Sequence, residues 1–126
     1  MRHDLVRAGL LSHRMPGHIV LTVRGELDIA TTARLRDQIA GIVDDATAPV
    51  IIDLSAVSHC DASGLAMLVG VQRRARLRGL TVAISEPSRE VSELLRTSGL
   101  DHAFTTYPTL TAARRGPGRS GHPAVA

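Results

Sequence analysis

The spacing of hydrophobic positions changes several times along the chain, and each change marks an element. Residues 18–24 are β-branched and partly alternating between Gly17 and Gly25, which predicts a strand. Residues 5–11 form a weaker candidate for an antiparallel strand before it, joined through a Pro16-Gly17 turn. After Asp28 the period lengthens. Leu35, Ile39, Ile42 and Ala46 recur at helical spacing, so a helix starts at Asp28 and has stopped by Pro49. Asp44 and Asp45 lie in its last turn, where the helix dipole disfavours acids. The run Val50-Ile51-Ile52-Asp53-Leu54 is almost continuously apolar and predicts a short strand buried on both faces.

A second helix is expected from the Asp61 turn to about Arg78, with Gly79 as its stop. Leu80 to Ser85 reads as another buried strand. Pro87 suits the first turn of a third helix that buries Val91, Leu94 and Leu95 and ends at Gly99. Residues 103–106 suit a short last strand, and residues 109–114 a final helical turn or two. Strands alternating with helices require crossover connections and an α/β layered domain, placed over residues 1–113. Residues 114–126, rich in Arg, Gly and Pro, read as a disordered tail. Function in open α/β sheets gathers at loops beyond the carboxyl ends of the strands, which points to residues 55–64, with 55–60 as the loop between the central strand and the Asp61 turn.

Composition narrows the functional classes. Only Phe104 and Tyr107 are aromatic, so the stacking platforms that bind single-stranded nucleic acid are missing. All 15 basic residues are Arg, which reads first as coding bias. The net charge of +3 comes from Arg114, Arg115 and Arg119, because residues 1–113 carry 12 Arg against 12 acids. The domain is therefore balanced, and direct nucleic-acid or membrane binding is not expected. Cys60 is the one cysteine and has no disulfide partner. No signal peptide is visible, and the longest apolar stretch, about Leu65 to Val71, is too short to span a bilayer, so a cytoplasmic address is expected.

Residues around position 61 carry several chemically capable side chains. His59, Cys60 and Asp61 are metal-ligand types, but adjacent residues diverge and no partner stands at ligand spacing, so no metal or cofactor is expected. Ser63 lacks the first Gly of a nucleophile elbow and has no marked base, which leaves a small hydrolase as the last of the readings. The glycines make no phosphate cradle, and no Lys exists to reach a phosphate. Two readings of the Asp61 turn remain. In one, Asp61 merely caps a helix. In the other, a hydroxyl beside free N–H groups at the positive helix end offers a docking and phosphate-tolerant surface. The second helix favours docking. Gly64, Leu65, Leu68, Val71 and Ala75 share one face, while Ala66 and Arg73 point away, flanked by Gly70 and Leu77, with Met67 and Val69 at the borders. Gly70 costs about 1 kcal/mol inside a helix, and a small apolar outer face invites a partner.

Four segments in register, Gly25-Glu26-Leu27-Asp28, Ile51-Ile52-Asp53-Leu54-Ser55, Asp61-Ala62-Ser63-Gly64-Leu65 and Thr97-Ser98-Gly99-Leu100, resemble the STAS-domain anti-sigma factor antagonists of bacteria. The resemblance implies a single STAS domain with a mixed four- to five-stranded sheet and helices packed on it. It implies a non-enzymatic partner switch: the protein binds an anti-sigma factor, usually a serine kinase of GHKL type, and frees a sigma factor. By the same resemblance the partner surface comprises Glu26, Asp28, Ser58, Asp61, Ala62, Ser63, Gly64, Ala66, Met67 and Gly70; a monomer or weak homodimer is expected.

The sequence departs from the family at one place. The family's phosphorylated serine directly follows the Asp, and here that residue is Ala62. Three outcomes follow: a constitutive binder that its kinase cannot release, Ser63 as a displaced acceptor, or another STAS role such as a subunit of a lipid-transport ABC complex or a scaffold. The first is favoured over the second, because a shift of one residue turns a helical side chain by about 100°.

Overall fold

The computed structural model describes residues 8–116. A hairpin opens the fold. β1 (Ala8–Met15) runs antiparallel to β2 (His18–Leu27), and Gly17 supplies the positive φ of 87° that the turn requires. The rest is right for crossovers: α1 (Ile29–Asp45), β3 (Val50–Cys60), α2 (Ala62–Leu77), β4 (Val82–Ser85), α3 (Arg89–Thr97), β5 (Thr105–Tyr107) and α4 (Leu110–Arg115). The five strands stand in chain order, β1-β2-β3-β4-β5, and every pair after the hairpin is parallel. The sheet is therefore mixed, with β1 as its antiparallel edge.

Strand alternation divides the core. Ile19, Leu21, Val23, Ile52, Leu54 and Ile84 join the buried stripes of α1, α2 and α3 in one large cluster. Val20 and Ile51 point the other way and meet Ala113 of α4 in a small one. The expected burial of residues 50–54 on both faces is met by all five.

Several boundaries differ from expectation. Residues 5–7 of the first predicted strand lie outside the described residues, and β1 continues instead to Met15. Pro87 precedes the α3 N-cap, Ser88, whose hydroxyl accepts from Val91 N at 3.1 Å, because a hydroxyl can cap where Pro cannot. Leu94 is only half-buried. β5 begins two residues later than predicted, after a turn that buries Phe104. Arg114 and Arg115 close α4 rather than opening the tail, and residues 117–126 of that tail lie outside the described residues.

The main correction concerns residues 55–60. They were expected as loop, but β3 continues through them to Cys60. Their ladder to β2 shifts twice, between Thr22 and Arg24 and again between Gly25 and Glu26. Each shift adds one residue to β3, as a bulge does. Buried positions there consequently recur every third residue, Leu54, Val57 and Cys60, with exposed pairs between them. That period matches neither a regular strand nor a helix.

Candidate functional site

The extended β2–β3 ladder sets two helix starts side by side. Leu27 pairs with Cys60, and Asp61 N donates to Leu27 O at 3.1 Å. Each strand then ends on an aspartate that caps the next helix. Asp28 accepts from Ala30 N and Thr31 N, and Thr31 Oγ1 lies 3.1 Å from Asp28 N, which completes a capping box. Asp61 Oδ1 accepts from Ser63 N at 2.8 Å and Gly64 N at 3.3 Å. The Glu26–Asp28 turn and the Asp61 turn, 33 residues apart in sequence, thus form one surface (61 − 28).

Gly64 explains how closely they meet. A Cβ there would stand 2.6 Å from Cys60 Sγ and 2.8 Å from Leu27 Cβ. α2 can approach the strand ends only because this residue has no side chain. Cys60 lies beneath it, 1% exposed. Burial, then the nearby carboxylates of Asp61 and Glu90, pushes its thiol up to about 11. It is therefore a neutral packing group at neutral pH rather than a nucleophile.

The expected partner residues separate into two sets. Glu26, Ser58, Ala62, Ala66 and Gly70 are exposed, and Ser63 is half-buried. Gly64 is buried, and Met67, expected at the border of α2, is 1% exposed within the core. Met67 falls there because its neighbours Leu68 and Val71 turn that side of the helix inward. It supports the surface from beneath and offers no contact in this conformation. The carboxylates of Asp28 and Asp61 are likewise engaged by backbone N–H groups, where they cap α1 and α2.

Two features beside these helix starts are not marked by a motif in the sequence. Ile29, first residue of α1 and next to the Asp28 cap, is 81% exposed. The available signal was an isoleucine directly after a capping aspartate, before the buried stripe begins at Thr31. His59 Nδ1 lies 3.0 Å from Glu90 Oε2, linking the end of β3 to the first turn of α3. Both side chains are about half exposed, so this contact orients more than it stabilises. Among the described residues no three His, Cys, Asp or Glu groups stand together as metal ligands, and no helix is long and apolar enough to cross a membrane.

A mixed sheet of this order, with a capped helix presented at the end of its second parallel strand, is the architecture of the STAS domain. Residues 11–113 match the STAS domain family. The anti-sigma-F factor antagonist RsfB of Mycobacterium tuberculosis is 32% identical over 102 residues, spanning 79% of this chain and 81% of that protein. The crystal structure of an anti-sigma factor antagonist from Mycobacterium paratuberculosis superposes with a TM-score of 0.75 at 28% identity, covering 86% of this chain and 92% of that one. The anti-sigma factor antagonist SpoIIAA of Bacillus, in its unphosphorylated form, gives 0.72 at 20% identity, over 90% of this chain and all of its own, a likeness of fold. The chain belongs to the STAS-domain family of anti-sigma factor antagonists.

Proposed function

We propose that the protein is a non-enzymatic anti-sigma factor antagonist that docks an anti-sigma factor of serine-kinase type through the Asp61 turn and the outer face of α2, freeing a sigma factor. One observation carries the reading: Ala62, Ala66 and Gly70 form an exposed run of small residues one turn apart, starting at a rigidly capped helix end. A partner can approach that backbone closely, and little side-chain entropy is lost in doing so. The Glu26 turn and Ile29 extend the same surface across the neighbouring helix start.

The switch would differ from the family's. The exposed position after the cap is Ala62, which has no hydroxyl to phosphorylate. Ser63 has its backbone N–H tied to Asp61 and a half-buried side chain. We read the protein as a constitutive binder that its kinase cannot release.

Calorimetry with purified GHKL-type anti-sigma kinases of the same organism tests the docking. Ala66→Arg and Gly70→Arg should each abolish binding while thermal unfolding stays near that of the wild type. Ala66 and Gly70 are exposed, and a Cβ at Gly70 meets nothing within 4 Å, so a change in fold is not expected. Unchanged affinity in both variants would remove α2 from the interface.

A further inference from the structure

The last turns of α2 carry four arginines, and the structure uses only two of them. Arg74 grips Asp44 through two hydrogen bonds, at 2.7 and 2.9 Å. Arg78 Nη1 donates to Val43 O and Ala46 O at 2.7 and 2.6 Å, at the end of α1, where Val43 O also accepts from the capping Ala46 N at 3.1 Å. Both fasten α2 to α1. Arg73 and Arg76 are exposed and have no hydrogen-bond or ion-pair partner among the described residues. Leu77, beside them, is 88% exposed, more than any other large hydrophobic among the described residues.

These three residues continue the docking face. At about 100° per residue, Ala62, Ala66, Gly70, Arg73 and Leu77 fall within a sector of roughly 80°, and Arg76 lies about 40° outside it on the Ala62 side. The sixteen residues of α2 extend this face for about 24 Å, a length suited to an interface of ordinary size.

We propose that the C-terminal end of α2 is a second contact zone for the same partner, one that takes an acidic segment bearing an apolar side chain. Carboxylates of that segment pair with Arg73 and Arg76, and the apolar side chain covers Leu77. The inference rests on the docking reading above and adds the chemistry of the partner. Charge complementarity selects the occupant, since two guanidinium forks left over by the fold suit carboxylates in bidentate geometry. Continuity with the small-residue run places it on the same partner. An anionic lipid surface also attracts Arg and Leu. However, two arginines at about 1 kcal/mol each and one leucine fall short of stable membrane attachment.

The test uses the full chain and the anti-sigma kinase of the docking measurement. Arg73→Glu combined with Arg76→Glu should weaken binding about tenfold or more, through slower association and faster release. Leu77→Asp should weaken it comparably. The wild-type affinity should fall with added salt, and that dependence should flatten in the double variant. Affinity within twofold of wild type in these variants, with Ala66→Arg abolishing binding, overturns the second zone and leaves the docking reading standing. Wild-type affinity in Ala66→Arg as well overturns both. Cosedimentation with phosphatidylglycerol–phosphatidylcholine vesicles that is lost in the double variant, with partner affinity unchanged, assigns the patch to lipid and overturns the proposal.

Discussion

At Gly64 a single hydrogen in place of a side chain decides whether α2 can reach its seat against the strand ends. The residue has no positive φ, so backbone freedom is not the reason for glycine here; the short distances to Cys60 Sγ and Leu27 are. Gly64→Ala should therefore destabilise the domain by about 1–3 kcal/mol, the usual cost of overpacking a closed core. A thermal melt reads this, and a melting temperature equal to the wild type's would show that α2 shifts freely. Gly70, five positions from Leu65 on the opposite side, has open space and carries no such constraint. The sequence made both glycines visible but not the difference between them. Met67 illustrates the same limit. On a helical wheel it sat at a border, and only the packing of α2 against the sheet turned it inward.

At the scale of elements, helix ends and their partners explain most of the assembly. Asp44, unfavourable at the end of an isolated helix, is held below the usual carboxylate range by its hydrogen bonds from Arg74. The acid that seemed misplaced in sequence is the anchor for α2. On the other face of the sheet, Arg114 Nε lies 3.3 Å from His18 Nε2, tying α4 to β2. Burial, then the Arg114 charge, lowers the His18 pKa below its ordinary value. Between the lowered and ordinary values the unfolded chain binds more protons than the folded one. Stability from this contact is thus complete above about pH 6.5 and is lost as the pH falls through the folded value. Lowering the pH from about 7.5 to about 5.5 should depress the melting temperature of the wild type, and His18→Gln should flatten that change. An equal pH response in both proteins would place the acid sensitivity elsewhere.

For the molecule as a whole, the question is whether the switch has an off state. Incubation with its cognate kinase and ATP should leave the protein unphosphorylated and bound, and Ala62→Ser should create an acceptor whose modification releases the partner. Stoichiometric phosphoserine at Ser63 by mass spectrometry would overturn the constitutive reading. Most of the architecture behind this question was legible in the sequence. The three main helices, the buried strands and the two capping aspartates follow from local rules: apolar period, short polar side chains at helix starts, and glycine or proline at helix stops. Those rules involve neighbours within about four residues, so the chain states them directly. Residues 55–60 escaped because two bulges set their apolar positions three apart, and a bulge is defined by the partner strand. For the same reason only the tertiary structure decided which face of α2 is free. It consumed Arg74 and Arg78 on α1 and left Arg73, Arg76 and Leu77 outside. The sequence by itself determined the elements and the missing hydroxyl at residue 62. The pairing of distant strand ends determined that the Asp28 and Asp61 turns share one surface, because that adjacency is a ladder contact between residues far apart in the chain.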